Sequence, residues 1–264
     1  MLQRKMMVQV QSLQMATYDD SDDPFRDDDR SERGDEQLLV DEMTLVQADL
    51  LRLMAQLDVC GVEEEQVGVC EELEHLLRNR SESKTAVMVH HQVLPMLEML
   101  DHESALVVLR VLRLVHETMT DRHRQDALGE YTGGIGLHAP LVDRMCTVGL
   151  LHRLLRHCAA LDRAREGWEE WLIVQQQAAL VLHSVCWGRQ PHHLQMIIAC
   201  GGIPALVGLL SADAPINHIA LDCLWCIFNL PSPTPKLDLC RLLARGCAAA
   251  PLSRLLLGAL QGAA

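Results

Sequence analysis

The stretch from Pro191 to Leu230, PHHLQMIIACGGIPALVGLLSADAPINHIALDCLWCIFNL, limits what this chain can fold into more than any other part of it. Apolar residues recur through it at helical spacing, and two breaks divide it. Gly201 or Gly202 supplies the left-handed residue that ends one helix. Pro204 fits the first turn of the next, because its missing N–H has no intrahelical partner there. The stretch therefore reads as a short helix, a Gly/Pro turn, a second helix ending near Leu210, a loop, and a third helix from about Ile216 to Asn229.

The turn recurs. Val93-Leu94-Pro95-Met96-Leu97 and Gly149-Leu150-Leu151-His152-Arg153-Leu154 copy it, and a weaker version lies around Gly246. Pro95, His152 and Pro204 in register stand 57 and 52 residues apart, longer than the roughly 40 to 47 residues of HEAT and armadillo units. The glycine-rich stretch Gly129 to Pro140 accounts for the first excess and the connection Asp162 to Trp171 for the second. About four degenerate units result, enough for stacked repeats to bury a continuous core. Leucine dominates and aromatic residues make up only 3% of the chain, a composition suited to packed helices and unsuited to strands. The expected fold is all-α, an α-α superhelix of the armadillo/HEAT-like solenoid kind.

Two further helices are expected ahead of the first copy of the turn. Leu45, Ala48, Leu51 (or Leu50) and Met54 line one, and Val69, Leu73, Leu76 and Leu77 the other, with Gly61 and the acidic first turn Glu63 to Glu65 between them. In the long apolar run Ala105 to Val115 the polar side chains Glu103, Arg110, Arg113 and Glu117 share a narrow arc, which places that helix in the middle of a stack. Residues 19–36 hold ten acids against Arg26, Arg30 and Arg33, about half of the formal net charge of −13. Such a run cannot offset its ordering entropy by apolar burial. Residues 1–40 are accordingly read as an N-terminal extension and disordered acidic linker, and residues 41–264 as the helical repeat domain, with a loop insertion at about 125–142.

The acidic balance, without a basic stripe, argues against nucleic acid as a partner. The ten cysteines fall mostly in apolar helical stretches, as expected of reduced intracellular thiols. No stretch has the length of apolar sequence that a membrane span needs. Arg4 and Lys5 ahead of any acid leave a mitochondrial transit signal open, with the cytoplasm as the default.

LQMIIACGGIPALVGLLSAD, HIALDCLWCIFNL and PTPKLDLCRLLARG resemble, in that order, the C-terminal armadillo region of the plant MAP kinase kinase kinase epsilon family and its fungal relatives, the septation and mitotic-exit kinases. HHQVLPMLEML at residues 90–100 is similar to a second block of that region, and Asp22-Asp23-Pro24-Phe25 to its linker. The likeness covers most of residues 19–260 and is strongest from Gln190 to Gly246. The kinase half is not recognisable: Gly133-Gly134-Ile135-Gly136 has the wrong spacing for a nucleotide loop, Asp121-Arg122-His123-Arg124 lacks the catalytic asparagine, and no DFG occurs. The resemblance thus implies a non-catalytic regulatory module that needs no cofactor. Its expected partners are proteins, with a Ras-like small GTPase or a pathway scaffold among them.

Other chemistry finds little support. Cys223-x-x-Cys226 sits in an apolar helix without a second pair at zinc spacing, so both thiols read as core residues. Adjacent histidines point about 100° apart on a helix, so neither His90-His91 nor His192-His193 is expected to converge on one ion. No Gly-x-Ser-x-Gly elbow is present.

The candidate binding residues lie on the third helix of the best unit. His218, Asp222, Trp225 and Asn229, spaced four, three and four apart, share one face. By resemblance, an asparagine four residues after a tryptophan contacts the backbone of an extended peptide in the armadillo groove. Ser184 and His116 are expected at the matching position in earlier units. The opposing expectation is that Asn229 satisfies nearby backbone and Trp225 fills a repeat interface. Arg110 and Arg113 form a second candidate patch for an acidic group, against local pairing of Arg113 with Glu117. Two rival functions remain: a fragment of a serine/threonine kinase, and a transport-type adaptor for basic peptides. The apolar end, Leu252 to Leu260, leaves self-association open.

Overall fold

In the computed structural model the described residues are 45–57, 59–79, 84, 86–87, 92–121, 136–159, 167–229 and 234–262. The acidic segment 19–36, the pair His90-His91 and residues 122–135 of the insertion lie outside them. The chain divides after Leu45, and everything from Val46 onward forms one unit.

Local sequence accounts for most helix ends. Helix α1 spans residues 45–57 and α2 Glu63–Asn79, the latter with Glu63, Glu64 and Glu65 in its first turn and Arg78 in its last, each charge at the end of the helix dipole that favours it. Helix α3, Val93–Glu98, runs on into a 3₁₀ turn, Met99–Asp101. Ser104 caps α4, Ala105–Met119: its hydroxyl accepts the Val107 N–H at 3.4 Å. Helices α5, Ala139–Thr147, and α8, Pro191–Ala199, start with proline in the first turn.

The remaining elements are α6, Leu150–His157; α7, Trp168–Trp187; α9, Gly202–Leu209; α10, Ile216–Asn229; α11, Lys236–Arg245; and α12, Ala249–Gly262. A two-residue antiparallel pair, β1 (Thr120–Asp121) with β2 (Gly136–Leu137), brackets the insertion. The expected insertion to about residue 142 ends earlier, because Pro140 enters the first turn of α5.

The copies of the turn align in space. Pro95, His152 and Pro204 are each the third residue of their helix, in α3, α6 and α9. Gly149 and Gly201 take φ of +104° and +82°, and each donates its N–H to a carbonyl three residues back, Cys146 at 3.3 Å and Ile198 at 3.1 Å. In the weak third copy Cys247 has this conformation (φ +57°) instead of Gly246, with its N–H 3.1 Å from the Ala244 carbonyl. At Gly202 the reason for glycine differs: a Cβ there would stand 2.7 Å from the Ile197 carbonyl oxygen.

Four long helices, α2, α4, α7 and α10, stack in sequence order into a row, each against the next. Shorter helices back the row: α3 packs on α4 and α5, α6 on α7, α8 on α5, α7 and α9, and α9 on α10 and α11. A continuous core runs between the layers from Leu50 to Ala248. Each fully buried leucine in it, such as Leu112, Leu154 or Leu182, contributes about 1.5 to 3 kcal/mol by leaving water.

The expected apolar face of α1 agrees with the structure at Leu50 and Met54 and differs at Leu45 and Ala48. Leu45 is 65% exposed and Ala48 is exposed, whereas Val46, Leu50, Leu53, Met54 and Leu57 are buried. The leucine-rich sequence offers two overlapping stripes there, and packing selects one.

Candidate protein-binding surface

The row of long helices repeats one pattern of burial. Val108, Val111, Leu112, Leu114 and Val115 of α4 recur as Gln175, Ala178, Ala179, Val181 and Leu182 of α7, and as Ala220, Cys223, Leu224, Cys226 and Ile227 of α10, all buried. With the inward residues in register, the remaining positions fall into sets of equivalent residues, or rungs, one from each helix. Leu106, Ile173 and His218 make one rung; Arg110, Gln177 and Asp222 the next; then Arg113, Leu180 and Trp225; and finally Glu117, Ser184 and Asn229.

On α10 the four candidate residues share the outward face: His218, Asp222, Trp225 and Asn229 are all exposed, Trp225 by 52%. Asn229 Nδ2 donates to the Trp225 carbonyl at 2.8 Å, engaging one amide hydrogen within its own helix. Ser184 holds the position of Asn229 in α7, as the sequence suggests. In α4 that position belongs to Glu117, which is buried, with Oε2 3.6 Å from Arg78 Nε. His116 lies one residue earlier and reaches across the row, its Nε2 2.9 Å from Ser184 Oγ.

Arg110 and Arg113 do not act as a pair. Arg110 is partly covered and binds Glu71 of α2 at 2.7 Å, while Arg113 is exposed and makes no ion pair among the described residues. The local Arg113 to Glu117 pairing gives way because Glu117 turns inward toward Arg78.

The structure adds residues that sequence reasoning passed over. His183 lies 3.9 Å from Asp222 Oδ2 and stacks on Trp187 at 5.7 Å and 25°. Trp187 is 48% exposed, and the Arg189 guanidinium sits 5.3 Å from its ring centroid. The i, i+4 spacing of His183 and Trp187 was available in the sequence as a signal. Neither α7 nor α10 contains Lys or Arg, while Glu169, Glu170 and Asp222 give this end of the row a negative balance.

Cys223 and Cys226 are both buried core residues of α10. A hydrogen bond with Cys186, and then burial, push the Cys223 thiol well above its ordinary range. The premise that the adjacent rings of His192 and His193 diverge does not hold: both Nε2 atoms approach Asp143 Oδ1 of α5, at 2.8 and 2.6 Å. They sit in the first turn of α8, where the rings swing toward the neighbouring helix instead of following the radial directions of a helix interior.

Among the described residues no single helix is long and apolar enough to cross a membrane. Leu256 and Leu257 of α12, in the apolar stretch Leu252 to Leu260, are 66% and 58% exposed.

The family model for the armadillo/beta-catenin-like repeat matches residues 190–230. Over 217 residues, 80% of the chain, the sequence is 30% identical to MAP3K epsilon protein kinase 1 of Arabidopsis thaliana, covering 14% of that protein. Over 254 residues, 92% of the chain, it is 24% identical to cytokinesis protein sepH of Aspergillus niger, covering 17% of that protein. The chain thus spans about one sixth of the length of these relatives or less. Among solved structures it is similar to an engineered protein, at a TM-score of 0.58 and 18% identity, covering 79% of this chain and 72% of the other. It is also similar to a designed armadillo repeat protein in complex with the peptide (KR)4, at 0.56 and 17%, covering 77% and 72%. The chain is an armadillo-repeat solenoid, homologous over most of its length to segments of the plant MAP3K epsilon kinases and of the sepH cytokinesis proteins.

Proposed function

We propose that this solenoid is a non-catalytic, protein-binding module that receives an extended segment of a partner protein along the row α4, α7, α10, in a regulatory role within kinase signalling of the MAP3K epsilon and sepH type. The observation that carries the reading is the half-exposed Trp225 on the outward rungs, flanked by His218, Asp222 and Asn229. An indole left in water on a rigid helix loses apolar exposure when a partner covers it, which is why tryptophan is over-represented among binding hot spots. Asn229, with one amide hydrogen held by its helix, keeps a carbonyl oxygen and a second hydrogen for a partner backbone.

The charge at the α7 and α10 end of the row favours the basic-peptide form of this reading. With acids and no Lys or Arg on α7 and α10, a segment carrying an apolar anchor and basic flanks complements the surface. The (KR)4 complex of a designed neighbour supports the same chemistry. A Ras-like small GTPase or a pathway scaffold, in the cytoplasm, is the partner class implied by the likeness to the kinase family. Because the relatives are far longer, a second reading makes the chain a segment of a serine/threonine kinase whose phosphotransfer domain lies elsewhere in the polypeptide.

Fluorescence anisotropy with a basic-apolar peptide, an acidic peptide of equal length and a GTP-loaded Ras-like protein separates the partner classes. Trp225→Ala is expected to weaken the preferred ligand by about tenfold or more, as for an interface hot spot. A folded Trp225→Ala, Asn229→Ala double variant that binds as tightly as the unaltered chain defeats the surface assignment. The mass of the endogenous polypeptide on an immunoblot decides the second reading.

A further inference from the structure

We propose that Asp143, His192 and His193 form a binding site for a divalent transition-metal ion of the zinc class, held between α5 and α8, the first helices of two successive repeats. Three observations carry it. One ring nitrogen from each histidine and one carboxylate oxygen of Asp143 all lie within 4.8 Å of one another. Both imidazoles approach one and the same oxygen, Asp143 Oδ1, and the rings stand 4.1 Å apart, so the three groups already face a common point. The cluster is anchored at one side and open at the other: the His193 side chain is 1% exposed, those of His192 and Asp143 54% and 49%.

The chemistry of the donor set selects the ion. Two neutral imidazoles and one carboxylate suit zinc, cobalt and nickel, whereas calcium and magnesium take oxygen-rich sets. A tetrahedral ion with bonds of about 2.0 to 2.2 Å needs its ligands about 3.3 Å apart. The nitrogen–oxygen distances of 2.8 and 2.6 Å therefore open by less than about 1 Å when an ion enters, within reach of side-chain rotation. Water completes the coordination on the solvent side.

His193 Nδ1 sets the affinity class. It is buried without a hydrogen-bond partner, so the proton that moves to it when Nε2 ligates the ion finds no acceptor. Ligating histidines ordinarily have one, and its loss weakens metal sites by about 10- to 100-fold. The site is accordingly about 10- to 100-fold weaker than an equivalent one whose histidine has such a partner. The ligands come from helices other than α7 and α10, so the ion fastens one repeat to the next without entering the Trp225 rung.

The test uses the full chain, stripped with chelator and titrated with Zn²⁺ by calorimetry and with Co²⁺ by absorption. The expected result is one saturable equivalent, a cobalt spectrum of nitrogen and oxygen ligation without thiolate charge transfer, and a Tm that rises with Zn²⁺. His192→Ala and Asp143→Asn are each expected to weaken binding by at least about tenfold and to abolish the rise in Tm, while Cys200→Ser leaves both intact. His192 and Asp143 are exposed, so these variants keep the fold, as circular dichroism verifies. The proposal is overturned by no saturation up to about 1 mM Zn²⁺, by binding that is unchanged in His192→Ala, or by a thiolate spectrum.

Discussion

His116 Nε2 of α4 and Ser184 Oγ of α7 stand 2.9 Å apart, joining two adjacent helices of the row across 68 residues of sequence. The Ser184 hydroxyl also lies 3.1 Å from the Leu180 carbonyl, to which it donates its single hydrogen. His116 must then carry its proton on Nε2 and donate to Ser184. The contact is a directional link between repeats, one of several polar ones beside the apolar core, with Arg110 to Glu71 and His183 to Asp222 among the others.

Removing either partner is expected to destabilise the solenoid by about 0.5 to 1.5 kcal/mol, the usual net worth of such a bond. A double-mutant cycle with His116→Ala and Ser184→Ala, followed by urea unfolding, checks it. The two effects should fall short of additivity, and strict additivity would show that the bond contributes nothing.

The turn glycines should respond differently to substitution. Gly201 needs its left-handed backbone but has open space at Cβ, so Gly201→Asn is expected to be tolerated better than Gly201→Ala. Gly202 has an ordinary φ but faces Ile197, so Gly202→Ala is expected to cost about 1 to 3 kcal/mol and no choice of side chain rescues it. Thermal unfolding of the three variants gives the ranking.

Asp101 ties the 3₁₀ turn after α3 to α6. Its Oδ2 accepts from Arg153 Nε at 3.0 Å and its Oδ1 from Arg156. Burial alone would raise its pKa, but the two guanidinium hydrogen bonds outweigh it and hold the carboxyl below the ordinary 3.8. A depressed carboxylate contributes stability that is present above its unfolded pKa and is lost as pH falls through the folded one. The stability difference between the unaltered chain and Asp101→Asn should therefore hold from neutral pH to about pH 5 and close below pH 4, measured by denaturation at each pH.

Thiol reactivity should follow burial. Burial pushes Cys70, Cys146 and Cys158 each up to about 12, so little thiolate exists at neutral pH. Cys200, Cys240 and Cys247 are exposed. Brief iodoacetamide treatment of the native protein followed by peptide mass spectrometry is expected to label the exposed three well before the buried ones. Equal labelling would mean that the repeats open on that timescale.

Helix content, the units and their turns were legible in the chain because their causes are local. Periodicity of 3.6, a proline in a first turn and a glycine at a helix end act within a few residues, and they place Pro95, His152 and Pro204 each at the third position of its helix. The shared outward face of His218, Asp222, Trp225 and Asn229 follows from the same spacing. What only the tertiary structure decided is which residues meet between helices. Glu117, not His116, takes the rung of Ser184 and Asn229, Arg110 turns to Glu71, and one of two leucine stripes on α1 goes inward. His192 and His193 close on an aspartate about 50 residues away. Those outcomes depend on the offset between stacked helices, which the whole apolar core sets at once, and no window of sequence contains it.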